Sequence, residues 1–520
     1  MFIKVIFNNQ KFLIFLLAFF SLAVNQFYGN RGVFPIESFA FFDTAYRILL
    51  GDEPFKDYWA VSGVFIDYTQ SLLFKIFGTN FQIYILHASI INCLLTIMTF
   101  FFSKSLNINL FYSFFYSLTF SLLAYTTSGS LYVDNHSSLI CLAAAYCLIF
   151  GIKKNEIKYF FLIPVLIVLA FFTKPAPTIY VFLFFLIFLL FFIIQFKNYK
   201  ALYTLLFSSI FSITSILIFF YLRGIPAELI LQQYFYFPIT IADTRYDNII
   251  LSFDNIFLNF KFIYFFLIPI IIINLKNLIE DRKFFFSNDF LIFIVLSGFI
   301  VCLMFHQLNT KNQFFILFLI PVLGIFLHSC VLKKFFRYRN FLILFFFISH
   351  IIFSSKYHIR YNENRKFHEM TNVNFNLAKE AKLIDKKLTG LNWITPTYYS
   401  SPETEIKLIL NTLEILKNEK KKKMIITNYS FVSGILEQNT HSPSRWFISN
   451  GGAYPIKGNK YFNTYREYLN NLINKKNIKS VFIIFPVKED EFLRYIDNKC
   501  FKKVKLNEIT IKYEIIDKCF

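Results

Sequence analysis

PTIYVFLFFLIFLLFFIIQ, residues 177–195, carries no charged side chain and, after its opening proline, nothing that breaks a helix. Coiled at 1.5 Å per residue it reaches close to the roughly 30 Å thickness of a bilayer's hydrocarbon core. Water would not solvate such a stretch, so it is read as a membrane span. Comparable stretches lie at 12–28, 82–102, 109–126, 136–152, 159–173, 201–222, 257–275, 289–305, 313–331 and 340–354, which makes eleven expected spans, and none follows residue 354. The expected fold is an α-helical polytopic membrane protein, with residues 1–355 as the membrane domain and residues 356–520 as a soluble α/β domain.

Composition agrees. The 520 residues are 56% hydrophobic and 16% charged, with a mean hydropathy of +0.51, whereas soluble chains are about 25% charged and about 45–50% apolar. A soluble enzyme is excluded. The net charge of +21 also fits the Lys and Arg that collect in cytoplasmic loops of membrane proteins. No basic stretch is interleaved for base stacking, so nucleic acid is not an expected partner.

One further apolar segment, VSGVFIDYTQSLLFKIF at 61–77, is short and contains Asp67, Gln70 and Lys75. It reads as a helix along the interface rather than a crossing. Loop charge tests this, because one extra crossing inverts every later loop. With 61–77 left non-spanning and the N-terminus inside, the cytoplasmic loops hold Lys104, Lys153, Lys154, Lys158, Lys197, Lys200, Lys276, Arg282, Lys283, Lys333, Lys334, Arg337 and Arg339. The loop 29–81 and the tail then face outward. Lys4 and Lys11 precede the first span and no small-residue cleavage site follows it, so it reads as a retained anchor.

The tail alternates helix and strand. SPETEIKLILNTLEILKNEKK reads as a helix with Glu403 and Glu405 in its first turn, KMIITN as a strand, FNTYREYLNNLINK as a helix and SVFIIF as a buried strand. FKKVKLNEITIKYEII reads as a hairpin turning at Asn507-Glu508. Lys420 to Lys423 read as a solvated helix end. Cys93, Cys141, Cys147, Cys302 and Cys330 fall within spans, where a thiol acts as a small hydrophobe. Cys500 and Cys519 flank the hairpin and are candidates for a disulfide in an oxidising compartment. Nothing in the residue pattern requires a cofactor, and metal dependence stays open.

Polar chemistry gathers in the first external loop, where Glu37, Asp43, Asp52, Glu53, Asp57 and Asp67 crowd beside the membrane. Pro35 opens an amphipathic stretch with Phe39, Phe42, Tyr46 and Leu49 or Leu50 on one side and Asp43 and Arg47 on the other. Read locally, Glu37 complements a helix dipole and Asp43 pairs with Arg47 at i,i+4.

The same loop carries AYRILLG at 45–51, PFKDYW at 54–59, SGVFIDY at 62–68 and LFKIFG at 73–78. After a first span and an external acid, this order resembles bacterial GT-C-type integral-membrane glycosyltransferases, relatives of the protein mannosyltransferases and of the aminoarabinose transferase of lipid A. LYVDNHSSLICLAAAYCLIFG at 131–151 resembles the family's external acid before a span, at Asp134, and FFTKPAPTIY at 171–180 its Lys-Pro junction, at Lys174. The layout matches over roughly residues 10–330. The chain departs from the pattern at Val64, where relatives commonly have proline, and at Ser38, where the usual acid pair reads Glu37-Ser38.

The resemblance implies a bacterial plasma-membrane enzyme that moves a sugar, with inversion, from a polyprenyl-phosphate donor to a glycan, lipid or protein acceptor on the external face. A single carboxylate suffices as base, because the leaving group is already good. Glu37 or Asp43 is the expected base, with Glu37 at the family's position. Arg47, Asp57, Trp59, Asp134, Lys174, Arg245, His306 and Lys311 are the expected substrate-binding residues, the cations among them offsetting charge on the departing phosphate. The competing readings are a transporter or flippase of lipid-linked saccharide, which would need polar groups at mid-membrane, and a noncatalytic membrane scaffold.

Overall fold

The computed structural model describes residues 9–246, 249–310, 315–334, 337–448 and 450–516, and only the backbone at 244–246 and 498. Among the described residues eight helices are long and apolar enough to cross a membrane: Gln10–Gly29, Phe81–Ser105, Val133–Lys154, Pro175–Phe196, Tyr199–Leu222, Lys261–Glu280, Asn288–Thr310 and one starting at Arg339. The chain is thus a multi-pass membrane protein by helix length and composition. Helices also stand at the other three expected spans, but they are shorter: Leu110–Leu123 has 14 residues, Ile157–Thr173 has 17 and Leu319–Lys334 has 16. At 1.5 Å per residue they cover about 21 to 26 Å. The first is stopped by the turn-forming Thr126-Thr127-Ser128-Gly129 and the second by Lys174-Pro175, where proline excludes the helical conformation for the residue before it.

Val133–Lys154 is the axis of the bundle, buried at every position from Val133 to Ile152. The lysine-rich loops meet at one end. Lys153 Nζ donates to the Ser105 carbonyl, Asn198 Nδ2 to Asn155 Oδ1 at 2.9 Å and Lys333 Nζ to Asp289 at 2.6 Å, and Lys334 pairs with Glu280. The first loop and the tail occupy the opposite end.

The segment 61–77 becomes the 14-residue helix Val64–Phe77. Gly63 opens it with φ +75, and a Cβ there would lie 2.4 Å from the Phe41 ring, so only glycine fits the turn. The turn is tied to the bundle by the Gly63 N–H, which donates to the Thr173 carbonyl at 2.6 Å.

The tail folds as expected in its elements. Short strands β1 (Lys379–Glu380) and β2 (Asn392–Trp393) pair antiparallel. Strands β3 (Lys423–Ile426), β4 (Ser480–Ile484), β5 (Phe501–Lys505) and β6 (Thr510–Ile515) form a sheet in the order β3-β4-β6-β5. β3 and β4 run parallel, with helix Phe462–Lys476 in their connection, and β5–β6 is the hairpin. One detail goes beyond the sequence reading and one departs from it. Glu405 does not face water; it is buried and accepts hydrogen bonds from Trp393 Nε1 and Thr395 Oγ1, each at 2.9 Å, and from the Tyr429 hydroxyl. Lys423 leaves the solvated run, and its Nζ donates to the Leu416 carbonyl at 2.6 Å at the end of helix Pro402–Asn418.

The last apolar helix, Arg339–His358, runs across the expected boundary at 355/356, and that boundary is not an edge of the core. One buried apolar cluster runs from Ala145 and Phe299 in the bundle through Phe39 and Phe42 to Trp393, Phe431 and Phe482 in the tail. Backbone bonds stitch the two regions together: Val33 N–H to the Ile394 carbonyl at 2.8 Å, Trp59 N–H to Pro443 at 2.9 Å, Asp43 N–H to Ser430 at 3.0 Å. Inside this joint Asp67, fully buried, pairs with Arg445, and its carboxylate also accepts from Thr44 Oγ1 at 2.5 Å and from the Tyr58 hydroxyl at 2.9 Å. Arg445→Met leaves Asp67 buried without its cation and is expected to cost about 3–5 kcal/mol. Thermal unfolding of the full-length protein checks this, and Asp67→Leu combined with Arg445→Met is expected to recover part of the loss.

Candidate active site

The site forms where four pieces of chain end together. Pro35 starts the short helix Pro35–Ser38, and Ser38 Oγ accepts the Phe34 N–H at 2.9 Å, which turns Glu37 inward. Asp134 sits in the first turn of Val133–Lys154, where a carboxylate complements the helix dipole. Lys174 occupies the extended break (φ −157, ψ 128) between Ile157–Thr173 and Pro175–Phe196. His306 lies near the end of Asn288–Thr310.

Asp134 holds two of these together. Lys174 Nζ reaches its Oδ2 at 2.6 Å and His306 Nε2 its Oδ1 at 2.6 Å, so one buried carboxylate is shared by basic groups from two other segments. These groups and Glu37 line a cavity of about 790 Å³. Its walls are aromatic and aliphatic: Phe34 and Phe41 from the first loop, Phe171, Ile179 and Tyr180 from the bundle, Tyr234, Phe235, Pro238 and Ile239 beyond Arg223, and Trp446 from the tail.

Glu37 is only partly covered and, among the described residues, accepts no hydrogen bond at its carboxylate. Burial among apolar walls pushes its pKa from the ordinary 4.5 up to about 8; the negative Asp134 adds to the rise and Lys174 opposes it. A carboxylate so placed changes its protonation near neutral pH.

The remaining expected site residues go elsewhere. Asp43 does not line the cavity: its Oδ2 accepts the Ser433 N–H at 3.1 Å and its Oδ1 the Gly434 N–H at 3.2 Å, so it satisfies the open donors of helix Val432–Leu436. Burial raises its pKa to about 6, with those two N–H groups opposing. The expected Asp43–Arg47 pair is not formed, because Arg47 Nε and Nη2 both turn to Asp52, at 2.9 and 2.8 Å, and Nη1 donates to the Ser442 carbonyl at 2.8 Å. Asp57 is held by Lys476 of the tail at 2.8 Å. Trp59 packs its ring on Phe237, Tyr465 and Tyr468, with centroids 5.9, 5.3 and 5.6 Å away. Arg47, Asp57 and Trp59 therefore fasten the tail to the first loop, and none of the three lines the cavity.

The acid concentration of the first loop divides accordingly: Asp52 and Asp57 meet Arg47 or Lys476, Glu53 meets Arg223 at 2.5 Å, Asp67 meets Arg445, and Glu37 alone faces the cavity. Lys311 and Cys519 lie outside the described residues, as does the side chain of Arg245. Cys500 is disulfide-bonded. Among the described residues no three His, Cys, Asp or Glu side chains converge as metal ligands would. Arg445 and Trp446 were not visible as site residues in the sequence, since Arg445 meets Asp67 across 378 residues. The chain matches no known protein-family model, and no curated protein shows significant similarity to it.

A raised acid pKa carries a stability signature with a definite sign. The native state holds the Glu37 proton more tightly than the unfolded chain, so its contribution is full below about pH 4.5 and falls away as pH rises to about 8. Glu37→Gln removes that fall. The melting temperature of the variant relative to the native protein is expected to increase from pH 5 to pH 8.5, measured by thermal unfolding in a fixed detergent. A constant difference would mean that Glu37 titrates normally.

Proposed function

We propose that this chain is an integral-membrane glycosyltransferase that moves a sugar from a polyprenyl-phosphate donor to a glycan, lipid or protein acceptor. The observation that carries the reading is Glu37 in the 790 Å³ cavity beside the Asp134–Lys174–His306 cluster. Glu37 is the general base: it takes the proton of the acceptor hydroxyl or amine as that atom attacks the anomeric carbon. The bond from that carbon to the phosphate oxygen breaks on the opposite face, so the configuration inverts. Lys174 and His306 offset the charge that develops on the leaving phosphate, in a site where low polarity strengthens the effect. Asp134 keeps the two in position.

Two further features support a lipid carrier. The cavity is walled by Phe171, Ile179, Phe235 and Ile239, and Ile179 and Ile239 remain 41% and 56% exposed. A prenyl chain would meet apolar surface along these walls. The positive-inside rule puts the lysine-rich end of the bundle in the cytoplasm, and the cavity and tail then face the exterior of a bacterial plasma membrane, with eleven crossings in all.

The decisive measurement is turnover of polyprenyl-phosphate-sugar by full-length variants that insert normally. Glu37→Gln is expected to lose about 10²–10⁴ in rate, and Asp43→Asn to keep near-native turnover while melting at a lower temperature. The native rate should climb with pH and level off above about 8 as Glu37 ionises. Undiminished turnover by Glu37→Gln would remove the base and the reading with it. For orientation, reporters fused after residues 105 and 356 are expected to be active in the cytoplasm and outside, respectively; the reverse would invert the topology.

A further inference from the structure

The Asn288–Thr310 helix brings a second polar side chain to the cavity that the transfer chemistry above does not use. Asn309 lies three residues beyond His306, a spacing that sets the two on one helix face. It is 7% exposed and lines the cavity. Its Nδ2 faces the Tyr180 hydroxyl at 3.5 Å, at the limit of a hydrogen bond, and its buried Oδ1 has no partner among the described residues. Turning the amide over only exchanges the orphan, leaving N–H groups unpaired where the carbonyl had been. An unpaired buried polar group costs about 1–3 kcal/mol, and folded proteins keep few of them.

The identity of the missing partner is constrained by chemistry. A prenyl chain offers nothing to an amide. A phosphate oxygen accepts but does not donate, so it satisfies the amide in one orientation only, with the N–H groups turned toward it and the carbonyl toward Tyr180. A sugar hydroxyl both donates and accepts, and it satisfies the amide in either orientation. Tyr180 fits the same role: its ring stands 6.3 Å from the His306 ring and 5.1 Å from Phe305, which keeps its hydroxyl beside Asn309 and within one helical turn of the groups assigned to the phosphate.

We infer that Asn309, backed by Tyr180, is a specificity-determining residue whose amide pairs with a ring hydroxyl of the saccharide held in the cavity. The inference rests on reading the cavity as a site for lipid-linked sugar and names the part of the cavity that tells one sugar from another. Leu at this position keeps the volume, removes the amide and removes the orphan.

The test uses full-length protein in lipid nanodiscs and equilibrium binding, so no turnover is needed. The probes are polyprenyl-phosphate glucose, mannose and galactose, their monodeoxy analogues, and polyprenyl phosphate alone. The native protein is expected to bind one monodeoxy analogue about tenfold or more weakly than its parent sugar, as sites built to pair a hydroxyl do. In Asn309→Leu that ratio should fall to within about twofold, with affinity for polyprenyl phosphate alone unchanged. The ligand-free variant should melt at or above the native temperature, because an unpaired amide has been removed; a clear drop would mark Asn309 as structural and overturn the inference. Equal losses for the sugar and for polyprenyl phosphate would assign the amide to the phosphate and overturn it as well. Discrimination that survives in Asn309→Leu, or a native protein that discriminates among none of the probes, would also overturn it. Active Glu37→Gln protein combined with the expected binding pattern would instead refute the assigned base and leave the Asn309 assignment standing.

Discussion

Asp67 sits in the first loop with no water contact, and a carboxylate in that position destabilises the fold by several kcal/mol unless a cation meets it. The cation is Arg445, from a segment beyond every membrane-length helix. Its guanidinium also lies 4.5 Å over the Phe41 ring and 5.1 Å over the Trp446 ring, and it donates to the Ser62 carbonyl at 2.6 Å. Phe41, Ser62 and Trp446 are all cavity walls. One buried ion pair thus holds tail, first loop and cavity in a single arrangement, and Lys476 of the tail repeats the device with Asp52 at 3.2 Å and Asp57 at 2.8 Å.

The division of labour among the loop's acids follows from supply of partners. Asp43, Asp52, Asp57 and Asp67 each find N–H groups or a cation brought by the tail, and a carboxylate so engaged is held in place and removed from proton transfer. Among the described residues no donor of the tail bonds Glu37. It is left with a raised pKa and an open face. At the cavity's other wall Asp134 does the reverse, using both oxygens to fix Lys174 and His306. Glu37 and Asp134, which share the cavity wall with Asp243, therefore have opposite environments, one with a raised pKa and no hydrogen-bond donor among the described residues, the other held between two basic groups.

Much of the architecture was legible along the chain because it rests on local rules. Apolar runs long enough for a bilayer placed the bundle's helices, and Lys174-Pro175 marked a break because proline acts on the residue before it. The tail's strands at Lys423–Ile426 and Ser480–Ile484 and the hairpin across Asn507-Glu508 stood within a few residues of where alternation and turn chemistry put them. Asp134 and Lys174 were found as separate motif residues.

Partnership was not legible, since it depends on which segments meet. Asp43 and Arg47 look like an i,i+4 pair on paper, yet each has a stronger partner: backbone N–H groups at Ser433 and Gly434 for one, Asp52 for the other. Nothing near Arg445 or Asn309 in sequence announces a role. The sequence by itself determined the solvent, the number of apolar segments and the local elements of the tail, because hydrophobic length, helix termination and strand alternation act within a few residues. Only the tertiary structure decided which acid faces the cavity and which asparagine is left unpaired, because the cost of a buried charge or amide depends on the groups that folding brings beside it.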